Sequence, residues 1–177
     1  SNAAQTRHNK SLVLNSVWKD HAASRVEISH KTGLSTATVS RLIDSLMQDQ
    51  LIAERQPVAT SKGRPVKPVF FNGQAHFLIG IDLGTTYIRG VLTNLSLETI
   101  KEVEVVTESH KDPEYVLNKV VQVIMSLANT NLVDSSRIIG VGIAVAGIIN
   151  LNTGIVEYSP AFNWRNIELR HFMRQHI

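Results

Sequence analysis

Apolar positions along the chain follow two rhythms, and the change between them predicts its organisation. Leu14, Val17 and Trp18 fall on one face of a helix beginning near Arg7 to Lys10, with Trp18 expected in the core. In SRVEISHKTGLSTATVSRLIDSLMQDQL, residues 24–51, Ser24 and Glu27 fit a capping box that opens a second helix, and Gly33 fits its left-handed stop. Ser35 can cap a third helix, in which Val39, Leu42, Ile43, Leu46 and Met47 make one apolar stripe. Beyond residue 77 the pattern turns strand-like. Residues 78–83, 87–95 and 101–107 read as three consecutive strands, the last alternating Glu102 and Glu104 with Val103 and Val105. Asp112 and Pro113 open a helix over 113–129 that buries Val116, Val120, Val123, Ile124 and Leu127. The run IIGVGIAVA, residues 138–146, has the continuous apolar character of a buried parallel strand.

The polar side of the third helix gives the first functional indication. Thr36, Ala37, Thr38, Arg41 and Ser45 fall largely away from the apolar stripe, so one face can pack while the other meets a ligand. A helix-turn-helix that reads DNA needs this division. Arg41 is placed to pair with guanine, and Ser35, Thr36, Thr38 and Ser40 offer hydroxyls to bases or phosphates. An ordinary helical hairpin with a solvated polar face is the alternative. The segment PVATSKGRPVKPVFF, residues 57–71, then suggests two extended stretches around a basic turn, the pattern of a wing. Lys62, Gly63, Arg64 and Pro65 form that turn; Arg64 suits a narrow A·T-rich minor groove, and Lys62 and Lys67 suit phosphates. A solvent-exposed hairpin tip would carry the same charges. His8, His21 and His30 lack metal-ligand spacing and read as surface or phosphate-proximal residues.

Charge sharpens the division. The 177 residues carry 18 Lys and Arg against 15 Asp and Glu, a net charge of only +3. Split at Phe77, the first part has 10 basic and 5 acidic residues and the second 8 and 10, as expected when one domain meets phosphates and the other does not. No apolar run approaches the roughly 20 residues that span a bilayer, and no signal-peptide segment is evident, so a cytoplasmic, membrane-free protein is expected. The absence of cysteine excludes disulfides and thiolate metal sites. Ser1-Asn2-Ala3 resembles the remnant of a cleaved expression tag.

The order β-β-β-α-β after residue 77 suggests half of an α/β nucleotide-binding lobe. Within it IGIDLGTTYIRG, residues 79–90, resembles the first phosphate motif of the actin-like ATPase and sugar-kinase superfamily. GVGIAVAGIINLNTGIVEYSPAFNW, residues 140–164, resembles the second conserved segment of the ROK family, named for repressors, open reading frames and kinases. ROK kinases lack a DNA-binding head, whereas ROK repressors carry a winged helix before this domain. The order of parts here is similar to the repressors.

The resemblance implies an α+β two-domain protein: a tail at 1–6, a winged helix-turn-helix at 7–72, a linker at 73–77 and a partial ROK lobe at 78–177. It implies a transcriptional regulator, a repressor of sugar-utilisation genes rather than an enzyme. Its partners would be a double-stranded operator with an A·T-rich inverted repeat, a sugar or sugar-phosphate effector, and a second copy in a dimer. Asp82, Gly84, Thr85 and Thr86 would form a vestigial phosphate loop. Kinases of the family carry Asp-x-Gly-Gly-Thr-Lys where this chain has Asp82-Leu83-Gly84-Thr85-Thr86-Tyr87, so a Cβ at Thr85 crowds the phosphate and Tyr87 removes a positive charge. The family's Gly-x-Pro-Gly appears as Ala144-Val145-Ala146-Gly147. Asp82 is then either an organiser of Mg²⁺ or a strand-end support. Gly147, Asn163 and Trp164 would border a sugar site, with Trp164 either stacking on a sugar face or anchoring its loop.

The family's catalytic Asn-Asp segment and its zinc site would fall beyond residue 177, so no catalytic residue, metal or cofactor is expected in this chain. A truncated lobe with exposed apolar surface is expected instead. The alternatives are a ROK sugar kinase with an appended head, or a DNA-binding module whose second domain only dimerises or docks a protein partner.

Overall fold

The computed structural model describes residues 2–20, 23–56 and 67–177. The chain divides into two compact units, residues 1–75 and 76–177.

The first unit holds three helices, α1 (Asn2–Asp20), α2 (Arg25–Thr32) and α3 (Thr36–Gln48), and a two-stranded antiparallel ladder of β1 (Ile52–Glu54) and β2 (Val69–Phe71). Local chemistry sets the α2–α3 corner. Ser24 and Glu27 complete the capping box, the Ser24 side chain accepting from the Glu27 N–H and the Glu27 carboxylate accepting from the Ser24 N–H at 2.7 Å. These bonds, backbone first, hold the Glu27 carboxyl below its usual range. Gly33 ends α2 at φ 69°, a left-handed conformation that costs glycine nothing, and its N–H donates to Ser29. Ser35 caps α3 by accepting from the Thr38 N–H. Val13 and Val17 of α1, Ile28 of α2, Val39, Leu42, Ile43 and Leu46 of α3, and Ile52 and Val69 of the ladder close one core. Ala23 bridges Val69 through two backbone bonds of 3.0 and 2.9 Å, which ties the start of α2 to β2. Lys10 reaches from α1 to Ser45 and Asp49 at 3.0 and 2.5 Å, and Lys31 pairs with Asp20 at 2.6 Å.

Three expectations are corrected here. Helix α1 starts at Asn2, well before Arg7, because Ala3, Ala4 and Gln5 are good helix formers that need no apolar partner. Trp18 is 52% exposed rather than part of the core, since Val13 and Val17 occupy the packed face and position 18 lies one residue around the helix from it. The first extended stretch is β1 at Ile52–Glu54, ahead of the 57–71 segment. Pairing with Phe71 through Val69 draws the apolar Leu51-Ile52-Ala53 end into the ladder.

The second unit is built on a four-stranded mixed sheet in the order β5-β4-β3-β6, from β3 (Phe77–Leu83), β4 (Tyr87–Asn94), β5 (Thr99–Val106) and β6 (Ile138–Val145). Strands β3, β4 and β5 form an antiparallel meander, and β6 returns parallel to β3 after α4 (Pro113–Ala128). Ile79, Ile81 and Leu83 alternate toward α4 together with Ile88 and Leu92, and α4 answers with Val116, Leu117, Val120, Val123, Ile124 and Leu127. Asp112 caps α4 by accepting from the Tyr115 N–H at 2.9 Å. A three-stranded antiparallel sheet of β7 (Ile148–Asn150), β8 (Ile155–Ser159) and β9 (Trp164–Ile167) follows, then α5 (Leu169–His176).

The expected burial of β6 is corrected. The strand is parallel to β3, but among the described residues its far edge has no neighbour, and Ile139 is 56% exposed. A continuous apolar run marks a strand with two apolar faces and says nothing of whether both edges are filled.

Candidate nucleic-acid interface

The functional geometry of the first unit starts from α3. Its buried stripe of Val39, Leu42, Ile43 and Leu46 turns the opposite face outward, and Ser35, Thr36, Ala37 and Arg41 are exposed there. Thr38 and Ser40 are half-buried. The Ser35 hydroxyl lies 2.9 Å from Thr38 Oγ1 and also accepts from the Thr38 N–H at 3.2 Å, so these two side chains shape the start of the helix. No acidic residue stands in its first turn, which leaves the positive end of the helix dipole unopposed. The arrangement can present a cation, hydroxyls and a positive helix end to an anionic surface. Lys67 is exposed just ahead of β2. Lys62, Gly63, Arg64 and Pro65, the expected wing tip, lie outside the described residues.

Sequence reasoning missed one constellation behind this face. Arg25, the first residue of α2, donates through Nε and Nη2 to Glu54 Oε1 at 3.0 and 2.7 Å, through Nη2 to Asp44 Oδ1 at 2.9 Å, and through Nη1 to the Ser40 carbonyl at 3.3 Å. Burial by itself lowers the guanidinium's pKa, and the bonds to Glu54 and Asp44 outweigh it, so the net direction is upward. The partners are 15 to 29 residues away along the chain, so no helical spacing announces them. Acidic residues at Asp44 and Glu54 in an otherwise basic segment were the available signal.

In the second unit the loop between β3 and β4 is tight. The Gly84 N–H donates to the Tyr87 carbonyl at 3.1 Å, and buried Thr107 fastens the loop by donating from Oγ1 to the Gly84 carbonyl at 2.6 Å and from its N–H to Thr86 at 3.0 Å. Thr85 and Thr86 are exposed at the turn, and Asp82 is exposed on the sheet face turned away from α4. That face carries a shallow groove of about 880 Å³ that includes Gly80, Asp82, Arg89, Glu104 and Gly142. Arg89 is paired with Glu104 at 2.6 Å. Gly147 sits at φ 154°, where a Cβ would come within 2.5 Å of the Tyr158 carbonyl, so only glycine lets the chain enter β7 this close to β8. Asn163 is exposed at φ 54°. Trp164 is only 2% exposed and packs against Phe162 with ring centroids 4.6 Å apart. The structure brings Gly147 and Trp164 onto one small sheet, through Ile148 and Ser159 as neighbours, and leaves the β3–β4 loop on the other sheet.

Comparison with known proteins gives these two units a family. The ROK family model matches residues 78–177, and the chain belongs to the ROK family. The xylose repressor of Bacillus spizizenii is 34% identical over 167 residues, which cover 94% of this chain and 43% of that protein. A solved ROK family transcriptional regulator, a homologue of the E. coli MLC protein, superposes with a TM-score of 0.81 at 23% identity, covering 97% of this chain and 43% of its own. A ROK family glucokinase from Streptomyces griseus, solved with glucose and AMPPNP, gives a TM-score of 0.50 at 20% identity and covers 57% of this chain and 30% of its own. The chain thus spans about two fifths of the length of the repressor it matches. The likeness to the two solved structures establishes fold, and the second unit is the actin-like α/β lobe with a mixed sheet. Among the described residues no helix is long and apolar enough to cross a membrane.

Proposed function

We propose that the chain is a sequence-specific DNA-binding transcriptional regulator, a repressor of sugar-utilisation genes, in which the first unit is a winged helix-turn-helix and the second responds to a sugar or sugar phosphate. The observation that carries this reading is the exposed half of α3, where Ser35, Thr36 and Arg41 stand clear of a helix whose other face is fully packed. The likeness to a xylose repressor over 94% of the chain supports it. In this reading Arg41 reads a base edge, Ser35, Thr36, Thr38, Ser40 and Lys67 meet phosphates or bases, and the turn Lys62-Gly63-Arg64-Pro65 enters the minor groove of A·T-rich DNA. A homodimer would meet an inverted repeat. Asn163, exposed next to Trp164 in the chain, would face the effector together with Gly147, and the effector would change operator affinity through a coupling of about 1–3 kcal/mol.

The reading also makes the second unit a sensor rather than a kinase. Thr85 and Tyr87 stand where phosphate transfer needs a close backbone and a cation. An assay for ADP release with glucose or xylose should stay at background.

The decisive experiment is fluorescence anisotropy with a library of labelled A·T-rich inverted-repeat duplexes across salt concentrations. Selective, salt-dependent binding is expected, with Arg41→Ala costing about 1–3 kcal/mol and relaxing the preference at one base position. Lys67→Ala should weaken all duplexes alike and reduce the salt slope by about one. Failure to select any duplex would sink the reading. A second reading, in which the second unit serves only to dimerise, is favoured by the exposed apolar edge of β6; operator binding indifferent to every sugar tested would select it.

A further inference from the structure

Resting on the reading that α3 meets DNA, we infer that Arg25 is a positioning residue that holds α3 at its working angle and keeps two carboxylates away from the phosphates. A single guanidinium joins the first turn of α2, the middle of α3 and the end of β1. The contact on α3 falls at Ser40 and Asp44, which flank Arg41, the exposed cation of the proposed recognition face. Asp44 is 62% exposed in its side chain and lies on the same side of α3 as Arg41, three residues on. Left alone, that carboxylate would repel a phosphate backbone and draw Arg41 onto itself. Arg25 takes it instead through Nη2, at 2.9 Å, while Glu54, 19% exposed, accepts from Nη2 and Nε of the same guanidinium. Glu54 belongs to the β1–β2 ladder, so the same ion pairs link α3 to that ladder. Lys10 of α1 also reaches α3, but at its C-terminal end, where it bonds Ser45 and Asp49.

Only arginine has the fork to serve three acceptors in different directions. A lysine ammonium at this place is a point charge that can hold one carboxylate, or two at a compromise.

The test uses the intact chain with Arg25→Met, Arg25→Lys and Glu54→Gln, titrated against the duplex selected above and a scrambled duplex of equal length. Backbone amide hydrogen exchange is followed in parallel. Arg25→Met is expected to lower affinity for the selected duplex roughly tenfold and for the scrambled one by less than about threefold, because misplacing α3 removes base contacts and spares phosphate contacts. Arg25→Lys should recover part of the selectivity, and Glu54→Gln should lose less than Arg25→Met. Exchange should quicken at Ser40 to Asp44 and stay unchanged in the second unit. Equal losses on both duplexes, or unaltered selectivity, overturn the positioning role while leaving the DNA reading intact. A parent chain that selects no duplex overturns both. If Arg25→Met does not fold, Arg25→Lys decides, since full selectivity with lysine contradicts the need for three acceptors.

Discussion

The two units solve the same problem, burying enough apolar surface from a short stretch of chain, with opposite completeness. The first unit closes its core: Val13, Val17, Ile28, Val39, Leu46, Ile52 and Val69 from five elements join one cluster, and apart from Trp18 and Val26 the large side chains left exposed among the described residues are polar or charged. The second covers one face of its four-stranded sheet with α4 and leaves the other face and the β6 edge uncovered among the described residues. The difference teaches that the exposed surfaces of the two units have different causes. On α3, exposure belongs mostly to polar residues set opposite a packed stripe; on β6, it belongs to isoleucine and valine on an apolar strand.

The contrast can be broken most severely at the first core. Leu46→Ala should remove about 2–5 kcal/mol from the first unit, because Leu46 is buried against all its neighbours. Each unit carries one tryptophan, Trp18 and Trp164, so urea unfolding of Trp18→Phe and Trp164→Phe backgrounds reads them separately. The Trp18 transition should move and the Trp164 transition should stay; movement of both together would refute separate cores.

The corresponding attack on the second unit is Gly90→Ala. A Cβ there would lie 2.5 Å from Val123 Cγ1 and 2.8 Å from Leu127 Cδ1, so α4 must lift from β4 at a cost of about 1–3 kcal/mol. Only the Trp164 signal should report it. A neutral result would show that α4 packs loosely and that the second core is weaker than its closed face suggests.

Smaller still is the cap. Ser24→Ala should cost about 1 kcal/mol, confined to the Trp18 transition. The same box gives the first unit an acid limb. Because the bonds from Ser24 hold the Glu27 carboxyl low, its contribution to stability is present above the ordinary glutamate range near pH ~4.3 and is lost as pH falls through the folded value. Thermal unfolding between neutral and acid pH should show this decline in the parent and a flatter one in Glu27→Gln; identical slopes would remove Glu27 from the account. The mildest change is Ile139→Lys on the β6 edge, expected to alter stability by less than about 0.5 kcal/mol while reducing self-association in sedimentation velocity. Unchanged association would separate the apolar edge from any contact between copies.

What was legible follows from range. The capping box, the Gly33 stop, the α3 stripe and the α4 helix with its Asp112 cap all depend on residues within four positions of one another, and each stands in the structure as its spacing implied. The β-β-β-α-β order was legible for the same reason. Trp18 was misjudged because helical spacing defines a stripe without stating how wide the partner surface is. The exposed polar face of α3 could be named from the sequence, but the Arg25 network behind it could not, since its partners are up to 29 residues away.

By itself, then, the amino-acid order determined where α2, α3 and α4 begin, which stripes of α3 and α4 are apolar, and that a basic segment precedes a nearly balanced one, because these properties reside in neighbouring residues. The tertiary structure alone decided that β6 returns beside β3 as an edge strand, that Trp164 is buried against Phe162, and that one guanidinium joins α2, α3 and β1. Those outcomes depend on which distant surfaces meet, and pairwise contact across a fold is set by packing and charge in three dimensions rather than by spacing along a chain.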